Sequence, residues 1–288
     1  MTNQSRPKIR QVNHKDLPQL ANLIHFETYV HRHLDYRPPL DWIDQRPFLV
    51  MELKGEVIAA LACPPDPPRV AWIRLFAAST HLSTNTTWGE LWSQAVFELA
   101  ETQSPQWAAA IPIYNWFTYQ LKRSGFLATD RIVTLNWEGS KLPEKPLQNH
   151  VNIRLMDPKD LAMVQQIDEA SFAPIWQNSR NCLEYAFHQS IIATVVESGD
   201  ECLGYQISTA TSLGSHLTRL AVNPDVQGKG IGYALVYDLL ARLMQKGTRM
   251  LTVNTQKNNL ASLAMYSKAG FIATGEEYPI YQFELNRD

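Results

Sequence analysis

The 288-residue chain is poor in cysteine. Its three, Cys63, Cys182 and Cys202, are an odd number, far apart, with no C-x-x-C pair. Neither a disulfide framework nor a thiolate zinc site fits that spacing, and all three are expected to be small buried apolar residues. An excess of one charge is missing too. Twenty-six Lys and Arg stand against 28 Asp and Glu, a net charge of −2, and neither half carries a basic run able to neutralise a row of phosphates. Nucleic acid is therefore not expected as a partner. Apolar runs such as Val57 to Cys63 or Ala108 to Ile111 fall far short of the roughly 20 residues of a membrane helix, so no membrane is expected either. The polar start, Met1 to Val12, lacks the apolar stretch of a secretory signal, and the expectation is a soluble, cytoplasmic protein. What is present is 45% apolar residues, enough for one large core or two modest ones, which excludes a disordered chain.

The chain repeats itself once. Ile9-Arg10 followed by Lys15-Asp16-Leu17 recurs as Ile153-Arg154 followed by Lys159-Asp160-Leu161, 144 residues later. Arg74-Leu75 matches Arg219-Leu220 and Gly125-Phe126 matches Gly270-Phe271, both at an offset of 145. The stretch Gly139 to His150, with Pro143 and Pro146, reads as a linker. Expected are a first domain over residues 1–140, a linker over 141–150 and a second domain over 151–288. Seven of the eight tryptophans lie in the first half, as core or as a surface for the sister domain.

In the second half, Val151 to Leu155 reads as a strand and Lys159 to Ala170 as a helix with Leu161, Val164 and Ile167 on one face. Ile191 to Glu197 and Cys202 to Thr209 read as a hairpin around Ser198-Gly199-Asp200. Leu217 to Val222 is a strand stopped at Asn223-Pro224. Ile231, Leu235, Leu239 and Leu243 form the stripe of a helix closed by Gly247. Met250 to Asn254 is a strand, Leu260 to Ala269 a helix, and Phe271 to Thr274 and Tyr278 to Leu285 two final strands. The fold class is mixed α/β, a mostly antiparallel sheet flanked by helices.

Gln227-Gly228-Lys229-Gly230-Ile231-Gly232 joins the strand directly to the helix. Amides at a helix start have no internal partner and sit at the positive end of its dipole, so such a loop can solvate a pyrophosphate. A Walker loop needs Ser or Thr after Gly228-Lys229, where Gly230 stands. A dinucleotide loop needs a third glycine where Tyr233 stands. What remains is Gln-x-x-Gly-x-Gly. Lys229 adds charge at the rim or is a solvated loop residue.

The segment Leu220-Ala221-Val222-Asn223-Pro224-Asp225-Val226 with this loop resembles the acyl-CoA signature of the GNAT superfamily of N-acetyltransferases. Asn259-Leu260-Ala261-Ser262-Leu263-Ala264-Met265-Tyr266-Ser267-Lys268-Ala269-Gly270-Phe271 is similar to the family's second element. The resemblance implies tandem GNAT-like domains, close over residues 152–285 and loose over 8–137. It also implies acetyl-CoA as cosubstrate, its pantetheine arm paired with backbone at Leu220, Ala221 and Val222 in a wedge between diverging strands. The pyrophosphate would rest on the amides of Gly228 to Tyr233, with Asn259 reaching the CoA arm or merely capping its helix.

The implied activity moves an acetyl group to a primary amine by direct attack in a ternary complex. Tyr266 holds the family's general-acid position, and an amide near Leu220 would stabilise the oxyanion. Relatives that acetylate ribosomal proteins carry Glu twelve residues before that tyrosine; here Asn254 stands there and cannot accept a proton at neutral pH. Either a water chain takes the proton or another residue does, with Glu169, Glu184, His188 and His216 as candidates by rough location. The alternative is a non-catalytic acyl-CoA-binding sensor or interaction protein.

In the first half, Gln227 to Gly232 corresponds to Leu82 to Thr87, without glycine, and Tyr266 to Leu121. A degenerate domain without acetyl-CoA turnover is expected there. His25, His31 and His33 are expected in a solvated loop, and no metal is expected. Trp176, Tyr185, Tyr278 and Tyr281 are candidates for the acceptor side, the acceptor being a small-molecule or peptide amine. Acceptor identity, acyl chain and oligomeric state stay open.

Overall fold

A computed structural model describes residues 6–102, 105–139, 141–146, 151–199, 201–211 and 214–285. Residues 1–5 of the polar start, 147–150 of the expected linker and Asp200 of the expected hairpin turn lie outside the described residues. The chain forms two compact units: Asp130–Tyr278, and Met1–Thr129 together with Pro279–Asp288. This division differs from the two halves of the sequence at both ends.

The first unit holds β1 (Lys8–Gln11), α1 (Leu17–Phe26), β2 (Tyr29–Arg32), β3 (Phe48–Leu53), β4 (Glu56–Ala62), β5 (Val70–Trp72), β6 (Leu75–Ala78), α2 (Thr84–Glu101), β7 (Trp107–Ala110) and α3 (Asn115–Arg123). Strand β8 (Leu127–Glu138) starts in this unit and continues into the second. The second holds β9 (Asn152–Leu155), α4 (Leu161–Ser171), α5 (Arg180–His188), β10 (Ser190–Ser198), β11 (Glu201–Thr211), β12 (Gly214–Val222), α6 (Ile231–Gln245), β13 (Met250–Gln256) and α7 (Leu260–Lys268). The last strand, β14, runs unbroken over Ile272–Glu284. The expected pair of final strands is therefore one strand, with Pro279 inside it; its residues from 279 onward count in the first unit.

In the second unit the sheet runs β8-β13-β12-β11-β10-β9, every neighbouring pair antiparallel except β12–β13. Buried Leu235, Leu239 and Leu243 of α6 and Leu161, Val164 and Ile167 of α4 face inward, as their helical spacing requires. Trp137 of β8 lies in this core beside Leu251 and Phe271. Helix α5, N-capped by Ser179, had no sequence expectation: its buried residues are only Leu183 and Ala186.

The first unit has a sheet β1-β3-β4-β6-β2, while β7 pairs parallel with β5 and antiparallel with Tyr281 to Glu284 of β14. Trp42, Trp72, Trp88 and Trp92 are buried, Trp88 and Trp92 stacked at 5.6 Å, so these serve as core. The histidine expectation fails in part. His31 lies on β2, 2% exposed, its ring 4.1 Å from that of Phe117 and its Nε2 3.1 Å from the Ile73 carbonyl. His33 stacks on Trp72 at 4.7 Å. Burial pushes the His31 pKa down to about 4 and that of His33 well below its ordinary range. His25, in the last turn of α1, is exposed as expected.

The internal repeat is structural. Arg10 donates to Asp16 at 2.7 and 2.8 Å and to Glu52 at 2.8 Å. Arg154 donates to Asp160 at 2.6 and 2.9 Å and to Glu197 at 2.9 Å. In both, the aspartate also accepts from the amide of the residue three before it, and the guanidinium holds its carboxyl below the usual range. Each network ties a first strand to the helix entry after it and to a neighbouring strand.

No helix among the described residues is long and apolar enough to cross a membrane. Cys63 is buried, whereas Cys182 and Cys202 are half-buried, short of the burial expected for all three.

Candidate functional site

Strands β12 and β13 pair over three rungs only, Ser215 with Leu251, His216 with Thr252 and Leu217 with Val253. Beyond these β12 follows β11 as far as Val222, and β13 follows β8 as far as Gln256. The two strands diverge into a wedge. The Asn223 amide donates to the Leu203 carbonyl at 2.8 Å, so the alternation of an antiparallel pair turns the N–H and C=O of Leu220 and Val222 away from β11. One of these groups already has partners: the Val222 carbonyl accepts from Ser171 Oγ at 3.0 Å and from Gln227 Nε2 at 2.9 Å.

That second bond ties the glycine loop back to the strand. Gly230 caps α6 in the left-handed region, φ +80°, which a residue with a Cβ adopts only under strain. Ile231, Gly232 and Tyr233, the first residues of α6, lie beside the wedge with Gly230. Gly232 has a different constraint: a Cβ there would stand 3.0 Å from Met265 Sδ of α7. On the opposite wall Asn259 caps α7, its Oδ1 accepting from the Ser262 amide at 3.1 Å. Lys268 Nζ lies 4.7 Å from the ring centroid of Tyr233, whose hydroxyl donates to the Glu144 carbonyl at 2.6 Å.

These elements enclose a cavity of about 600 Å³. Its walls include Leu220, Ala221, Val222, Gln227, Gly228, Gly230, Ile231, Gly232, Tyr233 and Asn259, ten of the residues read from the sequence. Lys229 is exposed in the same loop but is not part of the wall. Nor is Tyr266, which is 5% exposed and packs on Phe271 at 5.3 Å; burial raises its pKa. Its helix neighbours Met265 and Lys268 do line the cavity, as do Ser171 and Phe172 at the end of α4. Sequence reasoning missed these four as wall residues, together with Ala261, Ser262 and Ala264 of α7. Met265 and Lys268 sat inside the quoted helix motif, whereas Ser171 and Phe172 carry no motif.

The candidate bases lie elsewhere. Glu184 pairs with Arg180 at 2.8 Å, Glu169 accepts from Gln165 at 2.8 Å, and His188 ends α5. His216 sits on the paired rungs where the wedge closes, its Nδ1 2.8 Å from Thr252 Oγ1, and burial lowers its pKa. Asn254 is exposed on β13 just past the last rung. Of the acceptor-side candidates, Tyr281 is corrected: it is 5% exposed within the first unit's core, because β14 ends there. Trp176 is half-buried, its carbonyl accepting from Arg219 at 2.6 Å, Tyr185 is exposed and Tyr278 half-buried. Among the described residues no three His, Cys, Asp or Glu side chains are grouped to hold a metal ion.

The sequence profile of the acetyltransferase (GNAT) family matches residues 161–271, the stretch that runs from α4 through the glycine loop to Phe271. Residues 161–271 form a GNAT acetyltransferase domain. The chain is 36% identical over 80 residues to the peptidyl-lysine N-acetyltransferase YjaB of Salmonella typhimurium, covering 28% of this chain and 49% of that protein. It is 36% identical over 55 residues to the [ribosomal protein bS18]-alanine N-acetyltransferase of Escherichia coli K12, covering 19% of this chain and 37% of that one. The chain thus spans about half or less of the length of these relatives. Among solved structures, a tandem GNAT protein from the clavulanic acid biosynthesis pathway aligns over 98% of both chains with a TM-score of 0.65 at 12% identity. That likeness is one of fold, and the tandem GNAT architecture agrees with the internal repeat.

Proposed function

We propose that the GNAT domain transfers an acetyl group from acetyl-CoA to a primary amine by direct attack in a ternary complex. The observation that carries this is the wedge: β12 leaves β13 after Leu217, and the start of α6 lies beside it. Residues of this chain fit the cosubstrate. A pantetheine arm can pair with the free edge at Leu220, a pyrophosphate with the amides from Gly228 to Tyr233, and Lys268 supplies a cation at the same wall. The thioester supplies an activated acyl group with a thiolate as its leaving group. The Leu220 amide would polarise the acyl carbonyl as the amine nitrogen bonds to it and the C–S bond breaks, and Tyr266, kept protonated by burial, would give the departing sulfur its proton and be restored by the one the attacking nitrogen releases to water. The acceptor amine is that of a small molecule or a peptide, and the names of the two relatives favour an amine on a protein.

A sensor that binds acyl-CoA without turnover is the second reading, favoured by Asn254 on β13 just past the last rung. Titration calorimetry with acetyl-CoA followed by assay of free CoA release over a panel of amines separates the two. Binding is expected, and Gly230→Trp should remove it. A wild-type chain that binds nothing at millimolar acetyl-CoA would discard both readings, and binding without release over the panel would leave the sensor.

The first unit supports no second acetyl-CoA site. Strand β6 corresponds, within one residue, to Leu220–Val222, and its free edge is taken by β2: Tyr29 pairs with Ala78, Val30 with Ala77, His31 with Phe76 and Arg32 with Leu75. The chain's own strand lies where a pantetheine arm would pair.

A further inference from the structure

We propose that Phe172 sets the length of the acyl chain the cleft accepts, as the wall at the end remote from the glycine loop; this rests on the acyl-CoA reading above. The end of α4 and the connector after it touch β12 at two points. Ser171 Oγ bonds the Val222 carbonyl at 3.0 Å, and the Phe172 ring lies 3.5 Å from Arg219 Cζ. Three residues of strand, about 10 Å, separate those two anchor points. With phosphates at Gly228 to Tyr233 and the arm running from Val222 to Leu220, the acyl group arrives at the Phe172 end.

Phe172 is a fixed wall. The guanidinium beneath it donates to the fully buried Asp168 at 2.7 and 2.8 Å and to the Trp176 carbonyl at 2.6 Å. Asp168 also accepts from the Tyr205 hydroxyl at 2.5 Å and the Asn178 amide at 2.8 Å. The Phe172 carbonyl itself accepts from Gln177 Nε2 at 3.1 Å. Ring and backbone are thus both held, and the wall cannot retreat cheaply from a longer chain. In the repeat the arginine has a different anchor: Arg74, the counterpart of Arg219, pairs with Asp35 at 2.5 Å and lies over the Trp42 ring at 4.5 Å. At the offset of 144, residues 173–176 correspond to β2, which in the first unit zips along β6. There the position of Asp168 is Ile24.

The test is calorimetric titration of the full chain with free CoA, acetyl-CoA, butyryl-CoA and hexanoyl-CoA, for wild type, Phe172→Ala and Phe172→Trp. Wild type should bind acetyl-CoA about tenfold or more tighter than hexanoyl-CoA, the scale at which an apolar pocket discriminates added methylenes. Phe172→Ala should bring that ratio to within about threefold while the free-CoA affinity stays put, and Phe172→Trp should weaken butyryl-CoA but not free CoA. An acetyl-to-hexanoyl ratio equal in wild type and Phe172→Ala overturns the assignment of Phe172 alone. A wild type that fails to bind free CoA overturns the acyl-CoA reading and this inference with it.

Discussion

Tyr266 concentrates the chemistry of the proposed reaction into one hydroxyl. Helix α7 presents Met265 and Lys268 to the cavity and turns Tyr266 inward, where burial suppresses ionisation. A phenol in that state keeps its proton well above neutral pH, the condition for giving it to a departing thiolate. Phe can replace the ring in the packing against Phe271 but has no proton to give. Tyr266→Phe should therefore leave acetyl-CoA affinity within about twofold and lower turnover roughly a hundredfold or more, with no recovery at lower pH. Steady-state rates beside calorimetry check this, and an unchanged turnover would reduce Tyr266 to a core residue. The glycine loop and Asn259 were legible as wall residues because each position imposes a local demand, a left-handed φ and a helix cap, whereas Tyr266, read from the family resemblance, lies behind the wall. Phe172 and Arg219 were not legible, since their role comes from a contact between a helix end and a strand 47 residues apart in the chain.

Strand β2 covers the edge of β6, whose counterpart in the repeat, Leu220 to Val222 of β12, lines the cavity instead. It is four residues long, too short for a period-2 pattern to stand out, and its burial comes from pairing with β6 rather than from its own composition. That is why a polar stretch with three histidines read as a loop. The same burial leaves a titration signature. His31 is neutral in the fold, its pKa lowered from 6.5 to about 4. A depressed folded pKa gives stability that is present above pH 6.5 and is lost as pH falls through about 4. Hydrogen exchange should therefore show the amides of β2 and β6 losing protection between pH 6.5 and 4, and His31→Phe, which keeps the stack on Phe117, should flatten part of that slope. Identical slopes in the two proteins would remove His31 as the cause.

At the scale of the molecule the repeat was readable, and the Arg10 and Arg154 networks show why. Each is built from residues close in sequence plus one strand neighbour, so duplication preserves it as a short motif. The limits of the compact units were not readable, because strands β8 and β14 are assigned by pairing partners far along the chain. Thr134 to Glu138 of β8 would look, from composition, like the close of the first half; in the fold β8 covers the whole length of β13, from Met250 opposite Glu138 to Gln256 opposite Ile132. A fragment of residues 151–288 removes that partner. It leaves seven rungs of β13 as a bare edge and Leu251 and Phe271 without Trp137, a flat exposed edge of the kind that aggregates. Residues 130–278 keep the pairing. Expressed side by side, the 130–278 fragment should give a cooperative unfolding transition and bind acetyl-CoA, while 151–288 should be insoluble or lack a transition. Cooperative unfolding of 151–288 with wild-type acetyl-CoA affinity would mean that β8 contributes nothing to the GNAT domain, and that the wedge is held open by β11 and β12 alone.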